Sequence, residues 1–497
     1  MNYRLAFLVA FAMLGTGGVS SYAQPAQRSV LGYHGDAGRS GNFVVPSLTW
    51  DRSRSLHVDD NFHASVRGHV YAQPLYWRAP GSSSGILVVA TEDNVMHAID
   101  AVSGGEVWKR SLGQPVPRSA LSCGNISPLG VTGTPVIDAS SETLYLDAAV
   151  EASAGPRHLV FALSLKDGSL LPGWPVDVMD GLATAKQNFV ARDQNQRGAL
   201  ALLAGTLYVP FGGHFGDCGQ YHGIVAGIPV SDPHTIRSWA TRARGGGIWA
   251  PGGISTDGKS LFVATGNTIG ARTFGDGEAV VRLAPDLHRS DDKRDFFAPA
   301  DWQALDARDA DLGGTNPLPL DIGATGSQPL VLSLGKAGKA YLLDRQNLGG
   351  IGGQLAVETV SERRIITAPA AYPGADGLLV AFPGQGAHCP RDTRGRGLVV
   401  LQIRAGSPPA IGTSWCASLA GEGSPIVTTT DGRLNPIVWI VGAEGDNQLH
   451  GFRGDTGEAL FTGPAQGMRG LRHFQTLIAT DERLYVAADG AVYAFGF

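Results

Sequence analysis

Basic patches, membrane spans and metal-binding cysteine motifs are all missing from this 497-residue sequence. Charged residues make up 17% of it, the net charge is −5, and no run of Lys or Arg offsets that balance. Phosphate binding needs clustered cations, so a nucleic-acid partner is excluded. Beyond the N-terminus no apolar stretch reaches the ~20 residues that a helix needs to cross a bilayer. Cysteine is scarce, with four residues: Cys123, Cys218, Cys389 and Cys416. Their spacing matches no zinc pattern, and no Cys-x-x-Cys-His is present to attach a haem. What is plentiful is Gly, at 69 residues. Glycine weakens helices and serves short strands joined by tight turns.

The first 23 residues read as a signal peptide. Asn2-Tyr3-Arg4 supplies a positive start, Leu5–Leu14 an apolar run too short for an anchor, and Ser21-Tyr22-Ala23 a small-x-small cleavage site. An exported chain, periplasmic or secreted, matches the even cysteine count, because disulfides persist in oxidising compartments.

The stretch VATEDNVMHAIDAVSGGEVWKRSL, residues 89–112, shows how the rest is built. Ile86–Ala90 is apolar on both faces, as a buried strand must be. Glu92-Asp93-Asn94 has turn chemistry, Val95–Asp100 makes a second strand, Ser103-Gly104-Gly105 a second turn and Glu106–Ser111 a third strand. The pattern returns in degraded form seven more times: Gly133–Val178, Ala199–Trp239, Gly246–Leu287, Ser327–Val360, Ala368–Trp415, Ser424–Phe461 and Phe474–Phe497. Units of roughly forty to sixty residues have the length of propeller blades.

The last unit stops at its third strand, and Ser53–Ser65, ahead of the first full unit, can supply the missing one. The fold class is therefore all-β, an eight-bladed β-propeller closed by pairing N-terminal and C-terminal strands. Residues 1–23 are the signal peptide, 24–52 an N-terminal extension and 53–497 the propeller. A β-sandwich or a pair of all-β domains is the weaker alternative. Of the three cysteine pairings, Cys123–Cys218 and Cys389–Cys416 are favoured, because each would bridge neighbouring units.

Ala98-x-Asp100-x-x-x-Gly104 followed by Trp108, with a second copy at Gly451–Phe461, resembles the repeat of the pyrroloquinoline-quinone (PQQ) propellers. That family holds quinoprotein alcohol dehydrogenases and cofactor-free scaffolds, so the repeat bears on fold more than on function. The middle of the chain adds Gly247-Ile248-Trp249, a strand ending in Thr265-Gly266-Asn267, the Asp309-Ala310-Asp311 triplet and GKAGKAYLLDR from Gly335. The dehydrogenases show similar elements in this order.

The resemblance implies that Trp249 floors a flat quinone, Asn267 gives an amide oxygen to Ca2+, Asp309 or Asp311 acts as general base, and Lys336 contacts the quinone oxygens. The chemistry is consistent: an indole stacks on a planar ring, calcium takes oxygen ligands, and a carboxylate takes the alcohol proton. Asp217 is a further candidate metal ligand and Gln73 a further cofactor contact.

This chain departs from the dehydrogenases in two ways. Cys123 is followed by Gly124, so no disulfide between adjacent cysteines can cap the quinone, and Asn125–Leu129 lacks the basic residue expected there. With no haem motif, an enzyme of this kind would take a small-molecule substrate and pass electrons to a separate acceptor such as a cytochrome. The competing class is a non-catalytic scaffold that binds a protein or glycan in the cell envelope. A hydrolase or lyase using His214 and His222 has less support. Cleavage after Ala23 predicts that intact mass spectrometry of the exported protein finds a chain lacking residues 1–23; a full-length mass contradicts the signal reading.

Overall fold

A computed structural model describes residues 29–322, 328–389 and 396–497; the expected signal peptide, residues 1–23, lies outside the described residues. The first blade has Leu75–Trp77, Ile86–Ala90, Val95–Asp100 and Glu106–Ser111 in that order, each antiparallel to the next. Seven further sheets follow, making eight blades. Blades 2 to 7 are built on residues 136–177, 194–240, 255–298, 318–359, 370–418 and 426–463.

Blade 8 contributes Leu477–Ala479, Arg483–Ala488 and Ala491–Gly496 from the C-terminus. Its outer strand comes from the other end of the chain: His57–Val58 and Ala64–Ser65 both pair with Ala491–Gly496. The ring is thereby closed and its open edges removed.

The middle strands are buried on both faces, and their clusters run from one blade into the next. The outer strands behave differently. In Glu106–Ser111 only Trp108 is buried, because this strand faces solvent at the rim of the ring. Trp108 docks on blade 2, where its Nε1 donates to Leu165 O at 2.9 Å and its ring lies against Gly168. A Cβ at Gly168 would sit 2.6 Å from that ring, and its φ of +69° also favours glycine. Trp415 of blade 6 docks on Gly454 and Gly457 in the same way. In these two pairs the glycine turn of one unit, at Gly168 or Gly457, is thus the seat for the tryptophan of the unit before it.

Both expected disulfides form. Cys123–Cys218 joins the connection after blade 1 to a turn of blade 3. Cys389–Cys416 does not bridge neighbouring units: Cys416 lies on the outer strand Ala410–Ser418 and Cys389 in the loop between the two preceding strands, all within blade 6.

Residues 29–48, expected only as an extension, run along the ring axis. Val30 exchanges two backbone hydrogen bonds with Tyr76 of blade 1, and Leu31 O accepts from Ile137 of blade 2. Ala37 O accepts from Thr256 of blade 4, and Ser40 O from Ala371 of blade 6. Asn42–Val44 then pairs in parallel with Ile426–Thr429 of blade 7. The backbone groups that inner strands would leave unpaired at the axis are satisfied by this segment.

Arg39 pins the segment. Its guanidinium is buried and donates to Tyr33 O, Leu200 O and Ile254 O at 2.6–3.1 Å, tying the segment to blades 3 and 4. Arg39→Met would leave three carbonyls without donors, at a cost of about 2–4 kcal/mol. Urea unfolding checks this, and an unchanged midpoint contradicts the pinning role.

Candidate functional site

Strand alternation decides where a site can form. Within a blade the chain runs out from the axis, so the turn between the second and third strands and the connection to the next blade share one face. A cavity of about 540 Å³ opens on that face, and most of its lining residues come from those two kinds of loop. Trp249 lies on the connection from blade 3 to blade 4. Asp309 and Asp311 lie on that from blade 4 to blade 5, and Lys336 on the inner turn of blade 5.

Asp311 organises this wall. It is buried, and three donors converge on its carboxylate. The backbone N–H of Asn267 donates to Oδ1 at 2.8 Å, Trp249 Nε1 donates to Oδ2 at 3.1 Å, and Lys336 Nζ lies 2.7 Å from Oδ2. The backbone N–H of Lys336 donates to Asp311 O at 2.9 Å, which fixes the turn that carries the lysine. Glycine at 266 leaves room for the arrangement, since a Cβ there would meet Asp311 Oδ1 and Trp249 Nε1 at 3.0 and 3.1 Å. Lys336 Nζ also donates to Asp309 Oδ1 at 2.6 Å and lies 5.2 Å from the centre of the Trp249 ring.

The expected residues divide. Trp249, Asp309, Asp311, Lys336 and Asp217 line the one cavity. Asn267 takes part through its backbone, holding Asp311. Gln73 does not reach the cavity: its Oε1 accepts from the backbone of His34 and its Nε2 donates to Gly32 O, so its amide is committed to the axial segment. Asp217 Oδ1 accepts from Tyr221 at 2.6 Å, and its neighbour Cys218 is bonded to Cys123, which places Asn125 and Asp217 on the same rim. His214 lines the cavity, and burial lowers its pKa to about 4, so its ring is neutral.

Calcium does not fit this donor set well. Both oxygens of Asp311 are engaged, and an ammonium already occupies the place a cation would take beside them. Among the described residues no three His, Cys, Asp or Glu side chains are grouped to share an ion. A flat organic anion fits better, given an indole, a cationic amine and a cavity of ligand size.

Several lining residues carry no motif in the sequence. Arg197 enters from blade 3 itself, between Gln194–Asn195 and Ala201–Leu203 of its inner edge. Glu422 enters on the connection between blades 6 and 7, Glu444 on a turn of blade 7, and His473 and Phe474 on the connection into blade 8. Phe474 faces Trp249 with ring centres 6.5 Å apart.

No protein-family model matches the chain, and neither does any curated protein sequence. Solved structures with a similar fold include a quinohemoprotein alcohol dehydrogenase from Comamonas testosteroni, at 15% identity and a TM-score of 0.65 over 94% of this chain and 80% of that one. A europium-containing methanol dehydrogenase matches at 13% and 0.64, covering 94% of this chain and 98% of that one. BamB from Moraxella catarrhalis matches at 13% and 0.50, covering 89% and 98%. At such identities the likeness establishes the propeller fold and leaves the activity to the site itself.

Electrostatics behind the wall are set by burial. Glu278 accepts the Leu312 N–H at 2.6 Å through Oε2, while its Oε1 is enclosed without a partner. Burial first, and then the charge of Asp311, push its pKa up to about 9. Burial also raises Asp311, while Lys336 opposes that rise; burial disfavours the Lys336 ammonium, but Asp311 and Asp309 outweigh it and hold its pKa above the ordinary value. Near neutral pH the wall therefore holds a protonated Glu278 behind the Asp311–Lys336 pair.

The folded Glu278 carboxyl keeps its proton between pH 4.5 and about 9, where the unfolded one has lost it. Its contribution to stability is thus fully present below pH 4.5 and declines as pH rises through that window. Glu278→Gln should remove the decline, gaining stability relative to the native chain as pH goes from 5 to 9. Parallel urea melts test this; identical pH profiles contradict it.

Proposed function

We propose that this propeller binds a flat, anionic quinone of the PQQ type across the Trp249 indole and acts as an oxidoreductase on a hydroxyl substrate. One observation carries the reading: Trp249, Asp311 and Lys336, from three inter-strand segments spread over 88 positions, meet at one cavity with the lysine 2.7 Å from the aspartate. When bound, such a quinone supplies a two-electron acceptor for the carbinol carbon.

The residues supply the rest. The indole face gives a floor for the planar ring. The Lys336 ammonium, held above its ordinary pKa, keeps its charge and offsets negative charge on a ligand oxygen. Asp311 is the base of choice over Asp309, because it is buried and oriented by three donors whereas the Asp309 side chain is 63% exposed. Burial raises its proton affinity, which suits a group that accepts the hydroxyl proton. No step here is assigned to calcium.

Two disulfides suit an oxidising compartment, so the reading places the protein in a periplasm or outside the cell. No helix of the described residues is long and apolar enough to cross a membrane. Reduced cofactor would be reoxidised by a separate acceptor such as a cytochrome. A second reading, a scaffold that binds a protein or glycan, draws on Phe215, an aromatic at the cavity rim that is 75% exposed.

Reconstitution decides between them. Purified protein with PQQ, with and without added Ca2+, should reduce an artificial dye in the presence of an alcohol from a broad panel. Asp311→Asn and Lys336→Met should each lower turnover on the order of 10²-fold or more, with Asp309→Asn milder. Absence of both quinone binding and dye reduction removes the oxidoreductase reading and leaves the scaffold.

A further inference from the structure

Charge pairing around the cavity leaves one cation over. Lys336 is matched by Asp309 and Asp311, Arg364 lies 3.7 Å from Glu422, and His473 lies 2.8 Å from Glu444. Arg197 has no such partner. Among the described residues it makes no ion pair and no hydrogen bond, and its Cζ lies 4.5 Å above the centre of the Phe474 ring. It lines both the main cavity and a small deeper recess bounded by Tyr33, Tyr71, Thr132 and Thr134.

Arg197 is half-buried at the cavity wall, and a guanidinium partly withdrawn from water without an ion pair or hydrogen bond is a group that a ligand oxyanion can complete. Burial pulls its pKa down to about 10, with Tyr71 and Glu92 opposing, so the guanidinium keeps its charge near neutral pH. The Phe474 ring holds the guanidinium plane, leaving the N–H fork free for a planar oxyanion. Arg197 also answers the missing basic residue after Cys123: a cation reaches the cavity from a different blade.

We propose that Arg197 is the anchoring residue for a carboxylate on the ligand, so that the cavity selects planar aromatic acids over their neutral counterparts. This rests on the reading of the cavity as a quinone site, but its test needs no turnover. In this arrangement the ligand carboxylate takes two N–H bonds from Arg197 above Phe474, and the attached ring extends toward Trp249 and Lys336.

The experiment measures dissociation constants for PQQ and for its uncharged trimethyl ester, by tryptophan quenching and calorimetry. The native protein should bind the acid on the order of tenfold or more tighter than the ester, the expected worth of a charge-assisted pair. Arg197→Gln should weaken the acid by about that factor and leave the ester unchanged. Equal affinity for acid and ester in the native protein, or an Arg197→Gln variant that binds the acid as well as the native one, overturns the proposal. If Arg197→Gln fails to fold, Arg197→Lys decides: loss of the fork should weaken the acid severalfold, and unchanged affinity overturns the assignment. Dye reduction measured in parallel separates the two readings. Acid binding through Arg197 without turnover discards the oxidoreductase and keeps the anchor. Turnover with unaltered acid affinity in Arg197→Gln does the reverse.

Discussion

A four-stranded blade whose middle strands are apolar on both faces cannot stand alone, and everything else in this protein depends on how that burial is met. Each sheet covers its faces with the sheets on either side, and a row of such sheets is stable only when its ends meet. The chain meets that demand with His57–Val58 and Ala64–Ser65, which complete the sheet begun by its own C-terminus. Tryptophans at the rim, Trp108 and Trp415, lock one unit onto the glycine turn of the next. Once the ring is closed, strand alternation places inter-blade connections and inner turns on one face, and a site assembles there from distant parts of the chain.

Closure creates a second problem at the axis, where inner strands face a narrow channel. The N-terminal segment solves it by supplying backbone partners to blades 1, 2, 4, 6 and 7, with Arg39 as the pin to blades 3 and 4. It also gives the recess below the cavity part of its wall, through Tyr33. The segment that closes the fold at its centre thus shapes the far end of the site.

Within the site, the arrangement is governed by burial of charge. Burial raises the proton affinity of Asp311, and the Lys336 ammonium and the Asn267 N–H oppose that rise, while Glu278 behind it has only the Leu312 N–H and its pKa is pushed up to about 9. Both acids are raised by burial, and what differs is the cation beside Asp311 that opposes the rise. Pairing of Arg364 with Glu422 and of His473 with Glu444 quiets the rest of the rim, and Arg197 stands out against that background.

The sequence alone was enough to reveal the ring, because its causes are local and repeated: alternation, turn residues at recurring offsets, and an aromatic after the glycine turn, Trp108 after Gly104 and Phe461 after Gly457. It also showed the shortfall at one terminus and the strand at the other that fills it. Trp249, Asp311 and Lys336 were legible because each sits in a short motif. Gln73 was misplaced because a motif cannot tell whether an amide faces the cavity or the axis, and here it holds the backbone of His34 and Gly32. The reason given for the Cys389–Cys416 bond failed because both residues belong to one blade. Arg197, Phe474 and Glu278 had no signal at all, since their roles arise from what the closed ring brings near them. Partnership of charges and depth of burial are properties of three-dimensional neighbourhoods, and only the tertiary structure decides them.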